Sequence, residues 1–374
     1  MSLHAYIQEH RLEQILTDII NQCTKARAKY PLVFMAEHLM KQTTCVITDC
    51  KARYVLDSRG LPTTEVDITT AKGVYRATCP ASSFQTLSEF REYRDDDPGK
   101  YNGRGVMRAV YEINEKIAPL IKGQDARNQS SIDQILVENT TYSNVMYPVS
   151  VAIYKAGAPC SSPANHLFPM PVIQVCSTPT FQRLYVIPVC EPSTPSFEEC
   201  LRMCVEVYHR CVRTCDTVMD GIIQMTKAIS NNRYIKIIVD MNASEFLTED
   251  NFYDFDHVKR NRDEMHAMYK KWVNEHPIAY IENPFDSEEA FEPREYYISS
   301  HPRHSNHLFC LKPSQYGTVT RILEACRSFG HIMISHRTGD TDDDFECRLA
   351  MEIGATYLRL GSIQRFNQLL RTEK

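Results

Sequence analysis

Short apolar runs in the second half of the chain end, at a regular interval, in charged or proton-carrying residues. The runs IKIIVD, IAYIE, LFCLK, IMISHR and TYLR end at Asp240, Glu282, Lys312, His336 with Arg337, and Arg359. Each interval has room for a strand, a loop, a helix and a return loop. Consecutive βα units of this size are typical of a parallel barrel, whose functional side chains lie at the C-terminal ends of its strands. The spacing therefore predicts a barrel over residues 167–374.

The residue types at these strand ends indicate a particular chemistry. Asp240 and Glu282 have the carboxylate oxygens that Mg²⁺ prefers, and Lys312 beside such a cation can act as a base. Arg337 suits a phosphate or carboxylate, and His336 can hydrogen-bond the same ligand. Together they predict removal of a proton next to a carboxylate, with a metal holding the developing charge. For any one of these residues alone, a structural ion pair is the stronger interpretation.

The first part of the chain has two further patterns. Residues 45–166 contain three segments of strand character, beginning at CVITDCKARYVLDS, and then several helical stretches. This order predicts an α+β domain. Residues 1–42 have the pattern of two helices, with an apolar stripe from Leu12 to Cys23 and with Pro31 where the second helix would begin. The whole chain is therefore predicted as α/β, with a helical hairpin, an α+β domain and a barrel.

The hairpin is too small to hold a core alone, so its apolar stripe needs a partner. The pattern P-x-x-F-x-A-x-x-L in PLVFMAEHL resembles the dimerisation and docking helices of protein kinase A regulatory subunits. That resemblance implies a homodimer or a heterologous protein bound through residues 1–42. Packing of the hairpin on its own chain is the alternative.

Composition excludes several classes of partner. The net charge is −5, and no basic run suggests nucleic acid. No apolar stretch approaches the length of a membrane span, and the charged N-terminus has no signal-peptide core. We therefore expect a cytoplasmic protein whose 14 cysteines are mostly reduced.

Four cysteines have a helical spacing. Cys200, Cys204, Cys211 and Cys215 would share one face of a single helix. One straight helix cannot surround a tetrahedral ion, so a packing face is favoured over a zinc site.

From Cys50 to the C-terminus the chain resembles the enolase family. The segments RYVLDSRGLPTTEVDI, YNGRGVMRAVYEINEKIAPLI, YIENPFD, LKPSQYGTVT and SHRTGDTDDDF carry the resemblance. It implies an α+β domain followed by a TIM-like barrel, and the glycolytic dehydration of 2-phosphoglycerate to phosphoenolpyruvate with Mg²⁺. Asp240 and Glu282 match two of the family's three metal-binding carboxylates, and Lys312 matches its proton-abstracting lysine.

The substrate-binding loop of the family is also recognisable. His336, Arg337 and Thr338 match its His-Arg-Ser sequence, with Thr in place of Ser. Arg359 stands where the family has a substrate-contacting Lys. These four residues are the implied substrate-binding set.

Other family features are altered or missing. The segment with the general-acid Glu, the strand end with the third metal carboxylate and a His-bearing loop have no counterpart. Phe84 replaces a metal-binding lid Ser, and Arg183 replaces an active-site Glu. Losing a general acid costs about 10²–10⁴ in rate. Mg²⁺ should bind weakly or not at all to two carboxylates, which leaves Lys312 as a vestigial base.

We therefore expect a pseudo-enolase that works as a structural or binding component. We also expect Arg183 to neutralise Asp240 or Glu282. An active phosphopyruvate hydratase, a lyase, is the alternative. A divergent family member of animal sperm flagella has a similar helical extension, which by analogy favours a cilium or flagellum and axonemal partners. The missing segments predict a shortened barrel that is open or has fewer than eight strands.

Overall fold

The computed structural model describes residues 2–81, 90–158, 168–180, 182–189, 195–230, 232–286, 296–298 and 308–372. In that part of the chain, no helix is long and apolar enough to cross a membrane.

Three helices begin the chain, rather than the two that the sequence predicts. They are α1 (Leu3–Glu9), α2 (Leu12–Ala26) and α3 (Pro31–Gln42). The predicted first helix breaks at Arg11, which has a φ of 50°. The second begins at Pro31 as predicted, because a missing N–H costs nothing in the first turn. α2 and α3 form a hairpin that buries Ile19 and Cys23, and no helix or strand beyond α1–α3 in the described chain packs extensively on it.

An antiparallel sheet of three strands comes next, in the order β1-β2-β3. Its strands are β1 (Ile47–Leu56), β2 (Pro62–Thr70) and β3 (Gly73–Thr78). The helices that follow are α4 (Met107–Glu112), α5 (Ala118–Ile121), α6 (Gln129–Asn139) and α7 (Ser143–Gly157). The almost wholly buried α7 packs on β2 and β3. The predicted α+β class is confirmed.

A sheet of eight strands forms the barrel. Its strands are β4 (Met170–Ser177), β5 (Arg183–Pro188), β6 (Ile235–Asp240), β9 (Ile278–Glu282), β10 (Tyr297–Ile298), β11 (Phe309–Leu311), β12 (Ile332–Ser335) and β13 (Tyr357–Arg359). Their order is β10-β9-β6-β5-β4-β13-β12-β11. β5 pairs antiparallel with both of its neighbours, and the remaining pairs are parallel. A small hairpin, β7 (Tyr253–Phe255) with β8 (Val258–Arg260), lies between β6 and β9.

Helices connect most of these strands. They are α8 (Phe197–Arg210), α9 (Val218–Ile229), α10 (Arg262–Glu275), α11 (Val319–Cys326) and α12 (Phe345–Glu352). A last helix, α13 (Asn367–Leu370), follows β13. The inside of the barrel is filled by a compact apolar cluster that includes Tyr185, Ile238, Cys310 and Met333. The barrel interior is therefore a packed core, as in TIM-type barrels.

The shortening of the barrel falls in its connections. Of the two expected alternatives, fewer than eight strands is wrong, because β10 supplies the eighth strand. The sheet is open in the described chain, where no ladder joins β10 to β11. β4 returns to β5 through a tight turn, in which the Thr178 N–H donates to the Gln182 carbonyl oxygen at 3.0 Å. Five residues connect β4 to β5 at the mouth of the barrel.

The four spaced cysteines do not share one helix. α8 ends at Arg210, so Cys200 and Cys204 lie on it while Cys211 and Cys215 follow it. All four are buried, and none of them forms a disulfide with a described residue. They pack in the core between the helices and the barrel, as expected of a packing face.

Candidate ligand site at the mouth of the barrel

The C-terminal ends of the parallel strands gather the predicted site residues. Asp240 ends β6 and Glu282 ends β9, and the two stand level in the parallel register. Arg359 ends β13 and stands level with Ser335, the last residue of β12. Parallel strands point their C-terminal ends to the same side, so these residues lie at one mouth of the barrel.

Three more predicted residues lie at this mouth. Lys312 follows β11 directly, and its charge acts on both strand-end carboxylates. His336 follows β12, and its backbone N–H donates to the Arg359 carbonyl oxygen at 3.0 Å. Arg183 begins β5 and stands level with Asp240, because β5 runs in the opposite direction.

Arg359 and Glu282 form a bidentate ion pair in the interior. Arg359 Nη1 lies 2.5 Å from Glu282 Oε2, and Nη2 lies 2.9 Å from Oε1. The side chains are 3% and 0% exposed, respectively. A fork of this kind is the strongest geometry for an arginine and a carboxylate.

The remaining contacts of the Arg359 guanidinium hold it in place. Nε donates to Ser335 Oγ at 2.8 Å, and Nη2 also lies 3.2 Å from Cys310 Sγ. The guanidinium carbon lies 4.7 Å from the centre of the Tyr185 ring. Four of the five N–H donors of an arginine are thus engaged by protein atoms. One N–H donor of Arg359 is left over from these contacts, and its substrate-binding role stays a prediction.

The two strand-end carboxylates have different electrostatic environments. Burial alone would raise the pKa of Glu282, but the charge and hydrogen bonds of Arg359 outweigh it and lower that pKa to about 2. Burial, together with the charge of Glu282, raises the pKa of Asp240 to about 6. Asp240 accepts a hydrogen bond from Asn283 Nδ2 at 2.8 Å. Glu282 is the compensated carboxylate of the pair.

His336 is a neutral imidazole at this mouth. Burial and the nearby Arg359 charge lower the pKa of His336 to about 3. A neutral ring can donate or accept a hydrogen bond but adds no charge to the site.

The predicted binding loop after His336 is fastened to the α+β domain. Gly339 and Ala81 exchange two backbone hydrogen bonds, of 2.8 and 2.9 Å. Arg337 is buried, and its charge acts on Cys79 at the end of the small sheet. Thr338, between these points, is exposed. The loop therefore joins the two domains through the backbone of Gly339.

The acidic run of this loop also contributes to the junction. Arg365 Nη1 lies 2.5 Å from Asp340 Oδ1, and Arg365 Nη2 lies 2.9 Å from Glu346 Oε2, with all three side chains buried. Lys155 of α7 lies 2.8 Å from Asp343 Oδ1. These acids act as ion-pair partners as well as residues near a helix N-terminus.

The described residues at the mouth do not fit a divalent cation. Both oxygens of Glu282 accept from Arg359, so Asp240 is the carboxylate that remains among the described strand ends. The sequence from Tyr296 to Lys312 contains no Asp or Glu, so the end of β10 supplies no third carboxylate in any conformation. Among the described residues, no group of three or more His, Cys, Asp or Glu side chains could hold a metal ion. Mg²⁺ requires several oxygen ligands in near-octahedral geometry.

The counter-charge was assigned to the wrong arginine by the sequence analysis. Arg183 was expected to neutralise Asp240 or Glu282, but Arg359 pairs with Glu282, and Arg359 and Lys312 are the cations that act most on Asp240. Phe84, the altered lid residue, lies outside the described residues.

The residues that position Arg359 were not among those predicted from the sequence. Ser335 immediately precedes the predicted His336. Cys310 and Tyr185 lie two residues from Lys312 and Arg183, respectively, along their strands. Side chains two residues apart on a strand point to the same face of the sheet. The two-residue period of a strand could therefore have indicated that Cys310 and Tyr185 face the same way as Lys312 and Arg183.

Models of two protein-family domains match the chain. The model of the enolase N-terminal domain matches residues 47–165. The model of the enolase C-terminal TIM barrel domain matches residues 212–300 and 298–374. The last two segments overlap at residues 298–300, where β10 ends.

Three curated relatives align with most of the chain. Cytosolic enolase 3 of Arabidopsis thaliana is 30% identical over 464 positions, which cover 100% of this chain and 96% of that protein. An enolase of Eimeria tenella is 28% identical over 88% of this chain and 95% of its own length. An enolase of Mastigamoeba balamuthi is 26% identical over 86% of this chain and 94% of its own length. The first alignment includes the N-terminal helices.

Proposed function

Because the chain belongs to the enolase family, we propose that it is a non-catalytic member that acts as a structural or binding component. The observation that carries this proposal is the bidentate pair of Arg359 with Glu282. A carboxylate that accepts two hydrogen bonds from a guanidinium is not available to a divalent cation. The dehydration of 2-phosphoglycerate by enolases uses Mg²⁺, which would stabilise the charge that develops on the substrate.

The connections above the mouth support the same proposal. A tight turn joins β4 to β5 where the family resemblance places a His-bearing loop. The segment VMDGIIQMTKAI, which crosses the place of the general acid, is the continuous helix α9. Without an acid to protonate the leaving hydroxyl, the reaction would be about 10²–10⁴ slower. Lys312 remains at the mouth, where its charge acts on Asp240 and Glu282.

An active phosphopyruvate hydratase in glycolysis is the alternative, and retention of Lys312 is the feature that favours it. A coupled assay of phosphoenolpyruvate formation on the purified full-length chain separates the two. With saturating Mg²⁺ and 2-phosphoglycerate we expect no measurable turnover, while an ordinary enolase at the same concentration is the positive control. Turnover within about a hundredfold of that control would refute the proposal, because the missing groups should cost at least that factor.

The N-terminal hairpin supports a second part of the proposal, association with a second copy of the chain. Its large apolar side chains are exposed on both helices: Leu12, Leu16 and Ile20 on α2, and Leu32, Val33, Leu39 and Met40 on α3. Burial of each such side chain is worth about 1.5–3 kcal/mol. A face of this kind gains stability from any partner that covers it.

The charge distribution along α2 favours a second copy over another protein. Around the N-terminal half of α2, the acidic residues Glu9, Glu13 and Asp18 outnumber the basic Arg11. Around its C-terminal end the charged residues are basic: Lys25, Arg27 and Lys29. Two copies of α2 packed antiparallel about a two-fold axis would place each acidic half opposite a basic end. That arrangement is electrostatically complementary.

Sedimentation of full-length variants tests this association. Leu16→Glu combined with Ile20→Glu places charges on the exposed stripe and should halve the mass of the assembly. Val212→Glu, at an apolar side chain 59% exposed outside the hairpin, is the matched control and should leave the mass unchanged. An unchanged mass in the double variant, or a monomeric wild type at micromolar concentration, would refute self-association and return the face to a heterologous partner.

We place the protein in the cytoplasm. The Arabidopsis thaliana relative named as cytosolic aligns over the whole chain, hairpin included, which supports this location. A ciliary or flagellar site with axonemal partners, by analogy with the sperm family member, is the other setting. Fluorescence imaging of the tagged chain distinguishes them, since we expect a diffuse cytoplasmic signal and an axonemal pattern would contradict it.

A further inference from the structure

One guanidinium connects five strands at the mouth of the barrel. Arg359 ends β13 and donates to Glu282 on β9, to Ser335 on β12 and to Cys310 on β11. It also lies against the ring of Tyr185 on β5. These contacts reach around the inside of the sheet.

The sheet topology makes two of these contacts special. β10 and β11 are the edge strands, and the described residues show no ladder between them. Glu282 stands level with Ile298 of β10, next to one edge, and Cys310 is on the other edge strand. We call the gap between β10 and β11 the seam of the barrel, because no strand-to-strand hydrogen bonds cross it in the described chain. The Arg359 guanidinium joins the two sides of this seam through the interior.

The same guanidinium satisfies a carboxylate that could not stand alone. Glu282 is fully buried, and a buried ion without a partner is strongly destabilising. A metal ion is the other counter-charge that could serve there, but the remaining ligands do not fit one. We propose that Arg359 is a built-in counter-ion, which takes the place of a divalent cation at Glu282 and ties the seam of the barrel. This inference goes beyond the proposed function, since it concerns what closes the barrel and which cations the mouth rejects.

Thermal unfolding of the wild-type full-length chain is the first test. We expect the same Tm in excess EDTA and in millimolar Mg²⁺ or Mn²⁺, because no cation can bind Glu282 while the fork is present. A rise of Tm with Mg²⁺, or a fall in EDTA, would overturn the proposal without any variant being needed. If the chain shows enolase turnover in the coupled assay but its Tm is the same with and without metal, the proposed function is refuted and this inference is not.

A double-mutant cycle is the second test. Arg359→Met should lower Tm by roughly 5–15 °C, because it leaves a buried carboxylate without its partner. Arg359→Met combined with Glu282→Met should lose less than Arg359→Met alone, because no unpaired charge remains. Arg348→Met removes an exposed ion pair with Asp344 and is the matched control, with an expected Tm near that of the wild type. A Tm of Arg359→Met equal to the wild type, or purely additive losses in the double variant, would overturn the proposal.

Discussion

Glu282→Gln is the substitution whose effect follows most directly from the electrostatics of the mouth. It keeps the size of the side chain and removes its charge, so the Arg359 guanidinium loses its ionic partner. Arg359 lowers the pKa of Glu282 from 4.5 to about 2. At about 1.4 kcal/mol per pKa unit, this shift corresponds to about 3 kcal/mol of stability at neutral pH. That is the lower end of the cost of breaking a buried ion pair, about 3–5 kcal/mol.

Two effects modify this magnitude. The charge of Glu282 also helps to raise the pKa of Asp240, so its removal relieves a repulsion and offsets part of the loss. The loss must also depend on pH. A carboxylate with a lowered folded-state pKa contributes its stability above its ordinary pKa and loses it as pH falls through the folded value. The difference in the free energy of unfolding between the wild type and Glu282→Gln should therefore be largest above pH 4.5. It should shrink as the pH falls toward 2.

Urea unfolding of both proteins over a pH series is the assay, and Glu346→Gln is the matched control. Glu346 is also buried beside an arginine, but burial outweighs Arg365 and raises the pKa of Glu346. The charge of Glu346 thus destabilises the folded state at neutral pH. As the pH falls, the stability of the wild type should rise relative to that of Glu346→Gln, which is the opposite of the trend expected for Glu282→Gln. A Glu282→Gln variant as stable as the wild type at neutral pH, or a difference that does not change with pH, would refute the reasoning.

Three further substitutions have defined outcomes. Asp240→Asn should raise the free energy of unfolding by up to about 3 kcal/mol above pH 6, because burial and the charge of Glu282 destabilise the charged form of Asp240. This gain should disappear as the pH falls toward 3.8, and urea titrations at neutral and acid pH measure it. Gly339→Ala should cost about 1–3 kcal/mol, since its Cβ would overlap the Asp57 carboxylate and lie 3.0 Å from a backbone carbonyl oxygen; a Tm within error of the wild type would contradict this. Arg365→Met should cost about 3–5 kcal/mol by leaving Asp340 buried without its ion pair, and calorimetry of the full chain measures it.

The strand ends could be predicted from the sequence because they depend on a one-dimensional repeat. Apolar runs that end at Asp240, Glu282 and Arg359 fix where strands stop, and parallel pairing then brings the ends together. The α+β domain followed from strand and helix patterns in the same way. These features need only local periodicity and the rules of strand connection.

The pairing of charges at the mouth could not be predicted in this way. Which arginine reaches Glu282 depends on the angular positions of β13, β9 and β5 around the barrel and on side-chain reach, and neither is encoded in spacing. The strand register places Arg183 level with Asp240, but it is Arg359 that reaches Glu282 across the interior of the barrel. The break at Arg11 was missed for a similar reason, because helical periodicity continues across a single residue with a positive φ.

Anomalous diffraction from crystals grown with excess Mn²⁺ tests the central claim most directly. Mn²⁺ accepts the same oxygen ligands as Mg²⁺ and can be located without ambiguity. We expect no Mn²⁺ between Asp240 and Glu282, with Nη1 and Nη2 of Arg359 still within hydrogen-bond distance of Glu282. A Mn²⁺ ion bound to those two carboxylates, with the Arg359 side chain moved away, would contradict it.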